Sequence, residues 1–247
     1  MTRIPDPKSE SAKPGGVRVP DAALPEVAEA PPPWDLHGEG CIILLRQTAA
    51  SPTLPTATDA EFAGGPAIVM FVDYAESPVG PYRELLYIPG RFLFGGTRAW
   101  SIGRIFVSTW ESVVNGRRNW GIPKDRADFE RQAQGAGRER IQLRVDGRLL
   151  ASLDISRKGP TLPFPGWLLG SGMRTLTQDY AGRRYTLAPT ASGKARYARV
   201  HELSLSGADF GALDASNVIA ATWIPAFRMR FPEARISALA GPGGSEG

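Results

Sequence analysis

The stretch from Ile141 to Ile155 alternates apolar and polar residues on both sides of the pair Asp146-Gly147. A period of two is the signature of a strand with one buried face. Asp-Gly supplies the positive backbone angles of a two-residue type I′ turn, so the segment predicts a β-hairpin. A second candidate hairpin spans Met173 to Leu187 around Ala181-Gly182. Further short apolar runs punctuated by Pro and Gly read as strands: Cys41–Leu45, Ala67–Tyr74, Arg83–Ile88, Ala99–Thr109, Arg196–Leu205, and Val218–Phe231 broken at Pro225. Asp125–Arg138 reads as a loop or ragged strand. Helical periodicity is scarce, and no internal repeat is present. Many short strands with regular turn signals mean an antiparallel sandwich or barrel.

Composition sets the limits of the domain. Residues 1 to about 30 are rich in Pro, Ala, Glu and Lys and contain no aromatics, too little apolar area to offset ordering entropy. They are expected to be a disordered leader, dispensable for folding. Trp34, after Pro31-Pro32-Pro33, is the first large apolar anchor, so one domain is expected over residues 31–238, followed by a flexible tail at 239–247. The net charge of +4 and pI near 9.4 raise the question of nucleic acid, but arginines and acids are interspersed along the chain and form no basic run. No nucleic-acid partner is expected. The single cysteine, Cys41, excludes an internal disulfide framework and lies in an apolar run, where it reads as a small buried hydrophobe. The polar N-terminus and the lack of a long apolar run argue against a membrane partner and for a cytoplasmic location. His37 and His201 are the only histidines, and no metal site is expected. Gly170-Ser171-Gly172 is not a nucleophile elbow, and Gly135-Ala136-Gly137 is not a dinucleotide fingerprint.

The stretch Trp110 to Asp125 carries the candidate chemistry. Ser108 or Thr109 is placed to cap a single helical turn over Glu111–Asn115, ended by Gly116. Lys124 follows the apolar run Trp120-Gly121-Ile122-Pro123, whereas Lys8, Lys13, Lys158 and Lys194 sit in polar or Gly/Pro-rich surroundings. A lysine drawn into a dry site loses its proton readily and becomes a nucleophile, which arginine cannot do.

Glu111, then Gly116-Arg117, then the aromatic-Gly-Ile-Pro-Lys run ending at Lys124 resemble the active-site segment of the acetoacetate decarboxylase family. The resemblance implies a closed, cone-like antiparallel β-barrel with a few short helices. It implies Lys124 as the lysine that forms a Schiff base with a keto acid or other carbonyl substrate. Neither a metal nor another cofactor is implied, and self-association into a homo-oligomer is left open. Pro81-Tyr82-Arg83-Glu84 resembles the family's Tyr-x-Glu segment, which makes Glu84 the pocket carboxylate. Glu111 matches the glutamate that begins the lysine segment, and Tyr82, Arg117, Trp120 and Ile122 are the expected substrate-pocket residues.

The chain also departs from the family. Asp125 replaces the second lysine of the family's Pro-Lys-Lys, and Glu39 stands where an active-site arginine is expected. A further pocket acid falls near the apolar Val69. An aspartate facing the amine would hold Lys124 protonated and inert; consecutive side chains of an extended segment point to opposite faces, which leaves open a second orientation with Asp125 turned away. The expected chemistry is decarboxylation or an aldol or dehydration reaction on a substrate other than acetoacetate. The alternative from another class is a catalytically silent barrel that binds a small apolar carbonyl or acyl ligand.

Overall fold

The computed structural model describes residues 17–49, 52, 54–165 and 175–239. The strands are β1 Trp34–Leu45, β2 Glu61–Phe62, β3 Ala67–Glu76, β4 Tyr82–Ile88, β5 Arg91–Phe94, β6 Thr97–Trp100 and β7 Arg104–Val107, followed by helix α1, Trp110–Trp120. Then come β8 Asp125–Arg126, β9 Asp128–Ala133, β10 Arg138–Val145, β11 Arg148–Arg157, β12 Leu162–Pro165, β13 Leu176–Tyr180, β14 Arg183–Leu187 and β15 Thr190–Leu205. A one-turn helix α2, Gly207–Phe210, precedes β16 Val218–Phe231 and β17 Arg235–Ala238.

The larger sheet runs β8-β7-β4-β3-β1-β16-β15-β11-β10-β9, with β12 added beside β15. Its two end strands are consecutive in the chain, separated by Ala127 alone, so the sheet comes round into a nearly closed barrel. Its pairs are antiparallel except β7 with β8. A smaller sheet, β17-β14-β13-β6-β5-β2, packs beside it.

Both predicted hairpins are present among the described residues. Val145 pairs with Arg148 across Asp146 and Gly147, which hold φ of 49° and 76°; Tyr180 pairs with Arg183 across Ala181 and Gly182. Two sequence expectations change. The Ala99–Thr109 run is split between β6 and β7, because Arg104–Val107 joins the large sheet while Trp100 pairs in the small one. The Val218–Phe231 run is one strand: Pro225 does not break it but sits where the ladders to β1 and β15 both slip in register, a place that needs no N–H donor.

Strand alternation sorts side chains into two cores. Val69 and Phe71 of β3 join Cys41, Ile43, Leu143, Ile155 and Trp223, a cluster drawn from strands all round the large sheet. Val72 and Tyr74 of the same strand face the other way, toward α1 and the small sheet, with Trp34, Tyr82, Val107, Trp120 and Tyr185. The candidate site lies in this second layer.

The leader expectation is corrected for residues 17–30, while residues 1–16 and 240–247 lie outside the described residues. The segment is pinned along α1 through polar groups. Asn115 Oδ1 accepts the Ala30 N–H, its Nδ2 donates to the Ala28 carbonyl, and Asn119 donates to the Ala30 carbonyl. Val17 and Leu24 pack on the second core. Apolar area is a poor guide here because the docking is done by backbone groups meeting buried side chains of the helix.

Candidate functional site

Helix α1 is longer than the expected single turn. Thr109 caps it, accepting from the Ser112 N–H, and Gly121, at φ 60° with its N–H on the Arg117 carbonyl, ends it. Gly116 therefore lies inside the helix. Its role is clearance: a Cβ there would meet Cδ and Cε of Lys124 at 2.7 and 2.8 Å. The lysine stem runs across the helix at the one position without a side chain.

That path delivers the Lys124 amine into a buried polar knot. Nζ donates to Glu84 Oε2 at 3.0 Å and to Ser112 Oγ at 3.0 Å, and lies over the Tyr82 ring at 5.2 Å. Tyr74 OH donates to Glu84 Oε1 at 3.3 Å. The Tyr82 ring packs against the Tyr74 ring at 4.6 Å between centroids. Tyr74, Glu84, Lys124 and Ser112 form a chain of hydrogen bonds beside the Tyr82 ring, with Lys124 and Glu84 each only 4% exposed. Burial pushes both phenols well above the usual tyrosine value, and the Glu84 charge pushes them further. Tyr74 and Tyr82 thus stay protonated, as donors, across the physiological range.

The polar knot forms one wall of a cavity of about 30 Å³. Trp34, Leu36, Ile105, Trp120, Ile122 and Phe231 supply apolar walls, and among the described residues Lys124 and Glu84 are the only charged ones in the lining. Trp34 and Trp120 meet edge to face at 4.9 Å. A larger open groove of about 900 Å³ lies nearby, and Phe227 stands at its boundary, packed at 5.8 Å against Tyr74.

Of the residues singled out from sequence, Lys124, Glu84, Tyr82, Trp120 and Ile122 come together at this cavity. Two do not. Glu111 is exposed, one position before Ser112 and so turned away from the buried face of α1; only its carbonyl is engaged, by Asn115 Nδ2. Arg117 does not line the cavity. It sits behind the lysine backbone, donating Nε and Nη2 to the Lys124 carbonyl at 2.9 and 2.7 Å and Nη1 to the Val19 carbonyl and Asp21.

Asp125 faces away from the amine. It pairs with Arg117 at 3.1 Å and accepts the Arg18 backbone N–H at 2.9 Å. Burial raises its carboxyl above the usual range, against the pull of Arg117 and Arg104. The other departures are also accounted for. Glu39 engages Arg131 at 2.6 Å, and Val69 faces the barrel interior, so neither enters the Lys124 cavity.

Two functional groups escaped the sequence reading. Ser112 carries no motif of its own. Tyr74 was accessible, because a β3–β4 hairpin through Pro78–Pro81 places it directly opposite Tyr82. Among the described residues no group of three or more His, Cys, Asp or Glu is placed to hold a metal, and no helix is long and apolar enough to cross a membrane.

No family profile and no curated protein matches the chain. Solved structures do match, at low identity. Acetoacetate decarboxylase from Legionella pneumophila subsp. pneumophila str. Philadelphia 1 superposes with a TM-score of 0.63 at 13% identity, over 90% of this chain and 96% of that one. An acetoacetate decarboxylase-like enzyme from Sphingomonas wittichii RW1 gives 0.60 at 12%, over 87% and 95%. The enduracididine biosynthesis enzyme MppR, complexed with the condensation product of pyruvate and imidazole 4-carboxaldehyde, gives 0.58 at 16%, over 85% and 90%. The chain has the acetoacetate decarboxylase fold.

Proposed function

We propose that this chain of the acetoacetate decarboxylase fold is a carbon–carbon lyase-type enzyme in which Lys124 forms an imine with a small carbonyl compound. One observation carries the reading: a lysine amine buried in an otherwise apolar cavity, held by a carboxylate and a hydroxyl. A neighbour of the same fold holds a condensation product of two carbonyl compounds, which supports carbonyl chemistry here.

The geometry gives each group a task. Passing a proton along the hydrogen bond from Nζ to Glu84 leaves a neutral amine beside a carboxylic acid, with no charge in the apolar pocket. The amine then attacks the carbonyl carbon, and the oxygen departs as water, with Glu84 returning its proton. Tyr74, Tyr82 and Ser112 surround the atoms that exchange protons. The protonated imine is an electron sink for loss of CO2 from a β-keto acid, or for aldol-type addition and dehydration. Arg117, by fixing the Lys124 carbonyl, positions the nucleophile.

The smallness of the cavity and the direct Lys124–Glu84 pair favour a second reading, a silent barrel that holds a small carbonyl ligand without covalent attachment. Borohydride trapping separates the two. Incubation with a panel of ketones, aldehydes and keto acids followed by borohydride is expected to add one adduct mass to the protein, on the peptide carrying Ile122-Pro123-Lys124, and Lys124→Arg is expected to remove it. Binding of panel members without any stable mass gain supports the silent barrel.

A further inference from the structure

We infer that the compound taken by Lys124 is an uncharged short-chain ketone or aldehyde, of the size of acetone, and not a keto acid. The inference rests on the imine reading above and adds the substrate class. Its ground is the charge inventory of the cavity. Among the described residues, Lys124 and Glu84 are the only charged ones in its lining, and they already neutralise each other at 3.0 Å. After condensation the protonated imine replaces the ammonium and still faces Glu84 alone. A substrate carboxylate would enter as a second anion with no further cation among the described lining residues to meet it, and a buried charge without a partner is strongly disfavoured.

The guanidinium on the lysine carbonyl does not change this count. Arg117 is committed to the Lys124 carbonyl, the Val19 carbonyl, Asp21 and Asp125, on the far side of the lysine backbone. The remaining walls, including Trp34, Leu36, Ile105, Trp120 and Ile122, offer apolar surface to alkyl groups. The volume agrees. A cavity of about 30 Å³ takes roughly two water-sized groups. That restricts the occupant to a compound of very few heavy atoms.

The step balances within the site. The Nζ–C bond forms as the C–O bonds break, and the oxygen leaves as water. The Glu84 carboxylate then takes a proton from the carbon next to the iminium carbon, and that C–H electron pair becomes the C=C bond of a neutral enamine. Return of a proton from Glu84 regenerates the iminium, so α-hydrogens exchange with solvent and no oxidant or reductant is needed.

This exchange is the test. Acetone and pyruvate share a methyl ketone and differ in the carboxylate, and pyruvate is intrinsically the more electrophilic. With the full chain in D2O at pH 7, proton NMR is expected to show protein-dependent deuteration of acetone at least about ten-fold faster than that of pyruvate, corresponding to about 1.4 kcal/mol or more. Lys124→Arg is expected to stop it. Pyruvate exchanging as fast as acetone, or faster, with Lys124 required, would overturn the neutral-substrate inference and leave the imine reading standing. No exchange of either compound, together with no borohydride adduct from either, would defeat the imine reading and this inference with it.

Discussion

At the scale of single residues, the site depends on one missing side chain. Gly116 opposes two effects: in a helix interior it costs about 1 kcal/mol relative to alanine, yet a methyl there collides with the Lys124 stem. Because Nζ is tied to Glu84 and Ser112, the stem cannot swing aside without breaking those bonds. Gly116→Ala is therefore expected to leave the fold intact and to lower borohydride adduct formation by about ten-fold or more, corresponding to roughly 1.4 kcal/mol; unchanged labelling would show that the lysine path tolerates the methyl. Cys41 behaves in the opposite way. Burial pushes its thiol up to about 12, and only the thiolate is reactive. A thiol reagent at pH 8 should leave the folded protein unlabelled and modify one group per chain after denaturation.

The sequence reading grouped Lys124, Glu84, Tyr82, Trp120 and Ile122 because each lies in one of two short motifs, Tyr82-Arg83-Glu84 and Trp120-Gly121-Ile122-Pro123-Lys124, and all five line the cavity. It misplaced Glu111 and Arg117 for a physical reason. Those motif positions belong to a helix, where one residue is a rotation of about 100°, and the pattern does not say which face meets the cavity. Once α1 is known to run from Trp110 to Trp120, Ser112 and Gly116 fall on the face beside Lys124 and Glu111 does not.

At the scale of elements, the Asp146-Gly147 turn, the N-terminal strap and the β10–β11 ladder each give a measurable outcome. Gly147 sits at φ 76°, so Gly147→Val should destabilise by about 1 kcal/mol or more in chemical denaturation, with no effect on lysine labelling. The strap of residues 17–30 gives the larger effect. Deleting residues 1–30 removes partners from Asn115, Arg117 and Asp125, all buried within α1 or just after it. Orphaned buried polar groups cost about 1–3 kcal/mol each, so several kcal/mol should be lost, and the melting temperature should fall by about 10 °C or more. A fall of under about 2 °C would mean that the strap contributes nothing in solution. On the β10–β11 ladder, hydrogen bonds from Arg138 hold the Asp154 carboxyl below the usual range, although Asp154 is buried. A carboxyl depressed in the folded state stabilises fully above its unfolded value of about 3.9, and the contribution is lost as pH falls through the folded value. Asp154→Asn should flatten that part of the acid unfolding curve.

At the scale of the molecule, the architecture was legible in the turns and the alternation. Asp146-Gly147 and Ala181-Gly182 fixed two hairpins, and the nearly continuous apolar run Ala67–Tyr74 supplied apolar side chains to both faces of its strand, one for each core. The closure of the large sheet was legible in the family resemblance and not in the strand pattern, since it depends on β8 and β9, which read as a loop or ragged strand because β8 is two residues long and pairs in parallel. Nor was the strap, whose docking uses backbone groups that composition does not register. The Lys124 amine is placed by the whole arrangement: the strap holds Arg117 and Asp125, Arg117 holds the Lys124 carbonyl, and β3 and β4 bring Tyr74, Tyr82 and Glu84 to the amine. The most direct test is a crystal structure of the full chain after borohydride reduction in acetone. The account predicts continuous density from Nζ of Lys124 for a reduced isopropyl group, lying between Trp120 and Ile122 with Glu84 beside the nitrogen. An unmodified Lys124, with adducts confined to the other lysines, would contradict it.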